Sequence, residues 1–174
     1  MDSGMNEWLR SMRRMLTAIA IVSAFTGCSG QASGETTERA TAGSAEAVFA
    51  GGCFWCTEAD FDKIAGVLST VSGYTGGTVR NPTYQKVSAG DTGHIEAVRV
   101  TYDPARVSYA TLASRFIRTI DPLDSGGSFC DRGYQYRSAF FVATPAQRRV
   151  VQMVKDSAQA SLKKPVTTLV LPAA

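Results

Sequence analysis

The sequence is poor in the features that define several large functional classes. Its 174 residues include one histidine and four cysteines, and its basic residues form no run longer than a pair. One histidine and scattered cysteines do not supply the ligand set of a zinc site. A net charge of +3 without a basic cluster gives no electrostatic footprint for nucleic acid. We therefore expect neither a metal centre nor a nucleic-acid partner.

The sequence also lacks an apolar run long enough to cross a membrane. The longest such run, residues 15–25, follows Arg10, Arg13 and Arg14 and leads into Thr26-Gly27-Cys28. A basic segment before a short apolar run is typical of a secretory signal peptide, whereas a membrane helix needs about 20 apolar residues. We therefore predict a signal peptide over residues 1–27, with Met12 as an alternative start to Met1.

The stretch "FTGC" at the end of this segment resembles the lipobox of bacterial lipoproteins, with Phe25 in place of the usual leucine. In those proteins the cysteine becomes the acylated first residue, which here is Cys28. We expect an exported chain held in the cell envelope by a lipid. Because Ser29 replaces the aspartate that retains lipoproteins at the inner membrane, we expect the outer membrane, facing the periplasm. Secretion without lipid is the alternative.

The segment after Cys28 differs from the rest of the chain. Residues 28–45 are small and polar without apolar periodicity, which predicts a flexible tether. From residue 46 onward, short β-branched runs alternate with helical patterns. We predict one domain over 46–174, with strands at 47–52, 67–77, 95–103, 138–144 and 166–171, helices at 53–64, 108–120 and 145–162, and long loops at 78–94 and 121–134.

The stretch "GGCFWC", residues 51–56, places two cysteines around two aromatic residues directly after a glycine pair. If a strand ends in the glycines and a helix begins next, the Cys53 thiolate faces the unpaired N–H groups of the helix, which favours a nucleophile. Phe54 and Trp55 offer an apolar surface suited to a small group such as a methyl. Core packing is the alternative for these two rings.

Two further residues are candidates for acid–base chemistry. Strand alternation places Glu96 on the apolar face of the strand 95–103, where burial would keep its carboxyl protonated and able to donate a proton. The alternative is a glutamate at a strand end that reaches solvent. His94, the single histidine, could act as a base or ligand, but a structural histidine in the Gly-rich turn is the more common case.

The motifs together resemble the peptide methionine sulfoxide reductases of the A type. In order along the chain they are "GCFWC" (52–56), "GYTGG" (73–77), "NPTY" (81–84), "GDTGHIEAV" (90–98), "YDP" (102–104) and "DRGYQYRS" (131–138). The resemblance implies an α+β fold, a two-layer sandwich with a mixed sheet and a ferredoxin-like core. In that family the domain carries a further C-terminal segment, so 46–174 is expected to be a C-terminally short version. Arg132 stands where a histidine is common.

The resemblance also implies the site residues and the reaction. Cys53 would be the nucleophile, Phe54 and Trp55 the methyl pocket, and Glu96 the acid. The remaining residues that it implies are Tyr84 and Tyr136 on the sulfoxide oxygen and Asp131 in the pocket. Cys53 would attack the sulfoxide sulfur, and methionine would leave with Cys53 as a sulfenic acid.

Recycling requires a second thiol and an external reductant. The sulfenic acid would condense to a disulfide that a thioredoxin-like dithiol protein reduces, with no metal or organic cofactor. Cys56, three residues after Cys53, is favoured as the resolving thiol because it lies on the same side of a helix. Cys130, in a Gly-rich loop beside Asp131, is the second candidate, and direct reduction the third.

The expected substrates are free methionine sulfoxide and oxidised proteins, and we expect the chain to act as a monomer. Two other hypotheses remain. A thiol–disulfide oxidoreductase would use Cys53 and Cys56 as a redox pair but would leave Glu96 and the tyrosines unexplained. A lipid-anchored binding module would have no turnover.

The lipid anchor can be tested by fractionation. In a Gram-negative host the labelled wild-type chain should partition with membranes, and Cys28→Ala should lose that association because the acylated residue is gone. Immunoblots of soluble and membrane fractions measure the change, with Cys130→Ala as the control. A wild-type chain found in the cytosolic fraction would contradict the prediction.

Overall fold

The computed structural model describes residues 43–173. The predicted signal peptide, the lipidated Cys28 and most of the tether lie outside the described residues. The strands are β1 (Ala45–Ala50), β2 (Val67–Thr75), β3 (Ile95–Tyr102), β4 (Gly127–Ser128), β5 (Asp131–Arg132), β6 (Ala139–Val142) and β7 (Leu169–Pro172). The α-helices are α1 (Phe54–Phe61), α2 (Tyr84–Ser88), α3 (Tyr109–Phe116) and α4 (Pro145–Leu162).

Within these residues five strands form one sheet in the order β2-β3-β1-β6-β7. All neighbours are antiparallel except β6 and β7, which makes the sheet mixed. The unit β1-α1-β2 has β3 between its strands, and β3-α3-β6 has β1 between its strands. Two interleaved split βαβ units are the ferredoxin-like arrangement. The predicted α+β sandwich is therefore confirmed.

An aromatic cluster joins the sheet to its helices. Phe49 in the central strand β1 is fully buried, with its ring centroid 4.7 Å from that of Phe61 in α1 and 5.1 Å from that of Phe116 in α3. Phe140 of β6 lies 6.0 Å away, edge-on. Burying each ring contributes about 2–3 kcal/mol. This packing holds the C-terminal end of α1 against β1, and the candidate nucleophile lies between those two elements.

The opposite face of the sheet carries a smaller apolar cluster. Ala50, Ile95, Ala97, Ala139 and Phe141 are buried there. Because Glu96 and Ile95 point to opposite faces, Glu96 is directed to the helix side. Among the described residues no helix has the length and apolar character needed to span a bilayer.

Local signals explain most element boundaries. Ser108 caps α3 by accepting a hydrogen bond from the Thr111 amide, as predicted, and α4 spans 145–162, also as predicted. The predicted loop 78–94 contains α2, which Thr83 caps, and the predicted loop 121–134 contains the hairpin of β4 and β5. These pieces were missed because five and two residues are too few for a periodic pattern.

Candidate active site

Cys53 lies at the junction between β1 and α1. It is the N-cap residue of α1, with extended backbone angles, and its carbonyl accepts hydrogen bonds from both the amide and the hydroxyl of Thr57, each at 3.2 Å. The Cys53 side chain makes no capping hydrogen bond. The half-buried sulfur is therefore not tied to the helix backbone, and it lies at the positive end of α1.

Gly52 gives the junction its shape. Its φ of +97° falls in a region that residues with a Cβ rarely adopt. A Cβ at this position would also lie 2.7 Å from the Cβ of Ser128 in β4. The glycine therefore allows the turn from β1 into α1 and lets the β4–β5 hairpin approach the nucleophile.

Glu96 is joined to the nucleophile's helix by one hydrogen bond. The Phe54 amide donates to Glu96 Oε2 at 3.1 Å, and the side chain is 2% exposed. Burial raises the pKa of the Glu96 carboxyl, the Phe54 amide opposes the rise, and the charge of Asp131 adds to it. The alternative of a glutamate reaching solvent is wrong. A buried carboxyl with a raised pKa thus lies beside the residue that follows Cys53.

Phe54 and Trp55 differ in their surroundings. Phe54 is 7% exposed and packs in the core, so core packing does hold for this ring, whereas Trp55 is 63% exposed. Their centroids are 5.4 Å apart, and Trp55 stacks on Tyr84 at 6.2 Å with an interplanar angle of 16°. The three rings form an apolar wall whose buried end is Phe54 and whose solvent-exposed part is Trp55 and Tyr84.

Tyr84 and Tyr136 are brought to the site by separate short elements. Tyr84 begins α2, and Tyr136 ends a 3₁₀ turn, Tyr134–Tyr136. The side-chain amide of Gln135 donates a hydrogen bond from Nε2 to the Ser88 backbone carbonyl at 2.9 Å, which ties the 3₁₀ turn to α2. Burial raises the pKa of the Tyr136 phenol, and a hydrogen bond with Ser88 lowers it. The charges of Glu96, Tyr84 and Asp131 add to the rise.

Asp131 begins β5, on the hairpin that approaches Gly52. Its charge contributes to the raised pKa values of Glu96 and Tyr136, so it lies within electrostatic range of both residues. An ion pair between Arg132 and Asp124 closes the loop beside it. The Gly126 amide and then Arg132 lower the pKa of Asp124.

The two candidate resolving thiols have different environments. Cys56 is exposed, and a hydrogen bond and charge from Cys53 raise the pKa of its thiol. Cys130 is exposed beside Phe129, which has a φ of +55° at the hairpin turn. Cys53, Cys56 and Cys130 are the free cysteines of the described residues. The effect of Cys53 on the Cys56 pKa shows that these two thiols lie close enough to interact.

His94 has two backbone partners outside the pocket. Its Nδ1 accepts from the Gly77 amide at 3.3 Å, so Nε2 donates to the Val79 carbonyl at 2.8 Å. The ring is 8% exposed. His94 therefore holds the loop after β2, as expected for a structural histidine. Between residues 43 and 173 no group of three or more potential ligands has metal-binding geometry.

Comparison with known proteins identifies the family. The family model for peptide methionine sulfoxide reductase matches residues 45–174. The peptide methionine sulfoxide reductase MsrA 2 of Caulobacter vibrioides is 47% identical over 163 residues, which cover 93% of this chain and 80% of that protein. The chain belongs to the peptide methionine sulfoxide reductase family. It is an oxidoreductase of the A type.

Other proteins similar to this chain belong to the same reductase family. MsrA of Halalkalibacterium halodurans is 48% identical over 130 residues, covering 74% of each chain. The chain spans 36% of MsrA/MsrB of Vibrio cholerae and 61% of MsrA 2 of Rhizobium meliloti. Two solved structures share the fold: methionine sulfoxide reductase A of Corynebacterium diphtheriae (TM-score 0.68, 32% identity, 76% of this chain and 66% of that one) and reduced Mxr1 of Saccharomyces cerevisiae (TM-score 0.71, 29%, 75% and 77%).

One pocket residue was missed by the sequence reasoning. Tyr74 in β2 pairs directly with Glu96 in β3, and its ring centroid lies 5.7 Å from that of Phe54. The motif "GYTGG" contains this tyrosine, but nothing in the local sequence shows which residue it pairs with. Strand alternation along β2 predicts which of its residues share a face with Tyr74. The pairing of β2 with β3 then places Glu96 on that face, because two residues opposite each other in an antiparallel pair share a face.

The close approach at Gly52 generates a stability prediction. Gly52→Ala should lower the free energy of unfolding by about 2 kcal/mol, because the new Cβ meets strained backbone and the Ser128 side chain. Urea denaturation followed by circular dichroism measures the change. The matched control is Gly73→Ala, where a Cβ meets no atom within 4 Å. Equal effects of the two substitutions would contradict the account of the junction.

Proposed function

We propose that this chain reduces methionine S-sulfoxide to methionine, both free and in oxidised proteins, and so repairs oxidative damage. The observation that carries the proposal is the Phe54 amide bonded to buried Glu96, one residue after Cys53. It places an acid with a raised pKa beside a thiol at a helix N-terminus. The names of the relatives support the same reaction.

The chemical step uses the thiol and the acid together. The Cys53 thiolate attacks the sulfoxide sulfur while Glu96 gives its proton to the oxygen, which weakens the S–O bond. The hydroxyl group then passes from the methionine sulfur to the Cys53 sulfur, so that a Cys53 S–O bond forms while the methionine S–O bond and the transient S–S bond break. Methionine leaves and Cys53 becomes a sulfenic acid: the sulfoxide is reduced and the cysteine is oxidised. Burial suits Glu96 to this step because the carboxyl keeps its proton until the oxygen needs it.

The surrounding side chains match the two ends of the sulfoxide group. The methyl group packs against Phe54 and Trp55, whose rings lie 5.4 Å apart and form an apolar wall. The hydroxyls of Tyr84 and Tyr136 bond the oxygen. Asp131 lines the same pocket, as its electrostatic effect on Glu96 supports.

The recycling step follows from the position of Cys56. The sulfenic acid on Cys53 condenses with the Cys56 thiol, which forms a disulfide and releases water. The interaction of the Cys56 thiol with Cys53 supports Cys56 as the resolving residue. Because Cys56 is exposed, an external dithiol protein of the thioredoxin type can reach and reduce the disulfide. No prosthetic group takes part.

We also propose that the domain acts as a monomer at the cell envelope, held by a lipid on Cys28. The support for the lipid anchor is the sequence of residues 1–28 alone. In that compartment the reductant must itself be exported or delivered through the membrane.

The reaction is tested by turnover of N-acetylmethionine sulfoxide with dithiothreitol as reductant. Wild type should release the thioether, and Cys53→Ser should show no turnover above background because a hydroxyl does not supply the attacking anion. Chromatography of the product measures the rate, with Cys130→Ser as the control. Disulfide reduction without thioether formation would instead support the thiol–disulfide oxidoreductase, and neither activity would support the binding module.

The raised pKa of Glu96 predicts how the reaction rate depends on pH. Because burial raises the pKa of Glu96, the carboxyl stays protonated below that raised value, and the rate should fall as pH rises through it. Glu96→Gln should slow the chemical step about 100-fold and remove this alkaline fall, since an amide has no proton to give. Single-turnover rates across pH measure both effects.

The matched control for Glu96 is Glu58 on α1. Its carboxylate accepts hydrogen bonds from Ser72 at 2.7 Å and Thr70 at 3.4 Å, and it is assigned no part in the reaction. Glu58→Gln should keep the wild-type pH profile. An alkaline fall that persists in Glu96→Gln would place the acid on another residue.

The resolving thiol can be identified after one reaction cycle. With one equivalent of methionine sulfoxide and no reductant, wild type should form a Cys53–Cys56 disulfide because these two side chains are in contact. Peptide mass mapping detects the bridge, which should be absent in Cys56→Ser and present in Cys130→Ser. A Cys53–Cys130 bridge in the wild-type chain would overturn the assignment.

A further inference from the structure

Tyr74 shares the pocket face of the sheet with Glu96. The two residues lie directly opposite each other in the antiparallel pair of β2 and β3. Opposite residues in such a pair point to the same face. The face is the one that α1 covers, because Ser72, two residues before Tyr74, donates a hydrogen bond to Glu58 of α1 at 2.7 Å.

The Tyr74 ring also contacts the residue that follows the nucleophile. Its centroid is 5.7 Å from that of Phe54, with an interplanar angle of 36°. Phe54 in turn donates its amide hydrogen to Glu96. Tyr74, Phe54 and Glu96 are therefore one contiguous group at the start of α1.

The Tyr74 phenol lies within electrostatic range of the groups assigned to the sulfoxide oxygen. Burial raises the pKa of this phenol, and the charges of Glu96, Tyr84 and Tyr136 raise it further. The shift favours the protonated phenol, and the pairing of Tyr74 with Glu96 places the two side chains on the same face of the sheet. It makes no hydrogen bond with another residue in the described part of the chain. A hydroxyl in that position has a donor available for a ligand.

We propose that Tyr74 supplies a third phenol hydroxyl to the sulfoxide oxygen, beside those of Tyr84 and Tyr136. This inference rests on the proposed function, since it names an additional oxygen-binding residue for the same reaction. As the thiolate attacks, negative charge develops on the oxygen, and a donor aimed at it binds the transition state more strongly than the substrate. The hydroxyl therefore acts in the chemical step as well as in binding.

The substitution that isolates the hydroxyl is Tyr74→Phe, which keeps the ring against Phe54. The matched control is Tyr102→Phe. Tyr102 lies on β3 with Glu96, is 5% exposed, and has a pKa raised by burial alone. Both substitutions remove one oxygen from a tyrosine of the same sheet. Thermal unfolding of both variants reports any general loss of stability.

The first measurement is the single-turnover rate with N-acetylmethionine sulfoxide. Tyr74→Phe should lower the rate about tenfold, the effect of losing one hydrogen bond of about 1.4 kcal/mol in the transition state. Tyr102→Phe should react at the wild-type rate. An unchanged rate in Tyr74→Phe, or an equal loss in both variants, would overturn the proposal.

The second measurement needs no turnover. In a Cys53→Ser background, calorimetric titration gives the dissociation constants of N-acetylmethionine sulfoxide and of N-acetylmethionine, which lacks the oxygen. Adding Tyr74→Phe should weaken sulfoxide binding several-fold and leave thioether binding unchanged. Equal changes for the two ligands would assign Tyr74 to packing and overturn the proposal. A wild type that binds sulfoxide without reducing it would contradict the proposed function and leave this binding ratio as the test of Tyr74.

Discussion

The hydrogen bond from the Phe54 amide to the Glu96 carboxyl is the interaction on which the site depends. It joins the first residue of α1 to strand β3, and the two bonded residues are 42 positions apart in the sequence. The amide is one of the N–H groups that a helix start leaves without a backbone partner. By accepting it, Glu96 satisfies the helix terminus and is fixed beside Cys53. The same bond opposes the burial that raises the Glu96 pKa, and burial prevails.

The rest of the pocket consists of short elements that need tertiary anchors. His94 holds the loop after β2 through two backbone groups, Gln135 ties the 3₁₀ turn to α2, and the ion pair of Arg132 with Asp124 closes the loop beside β5. None of these elements is long enough to be stable alone. These anchors use backbone groups and one ion pair, and they leave the rings of Trp55 and Tyr84 exposed.

Many of the secondary-structure elements were predicted from local sequence signals. Alternation along β3 placed Glu96 on the apolar face, Ser108 marked the start of α3, and the proline at residue 145 marked α4. The motif around Cys53 predicted the strand-to-helix junction because a short apolar run ends at the glycine pair and a helical pattern follows it. Where the pattern was short, as in α2 and the β4–β5 hairpin, local signals were too weak to separate structure from loop.

The sequence by itself determined the residue types of the chemistry, a thiol at a helix start, an acid on an apolar face and aromatic residues between two cysteines. The tertiary structure alone decided which of them meet. The register of β2 against β3 set Tyr74 opposite Glu96, and the fold separated the buried Phe54 from the exposed Trp55 although the two are adjacent in sequence. It also placed the Cys56 thiol close enough to Cys53 for the two groups to interact. Strand pairing and helix packing join residues far apart in the chain, and a local pattern holds no information on such contacts because their energy depends on both partners.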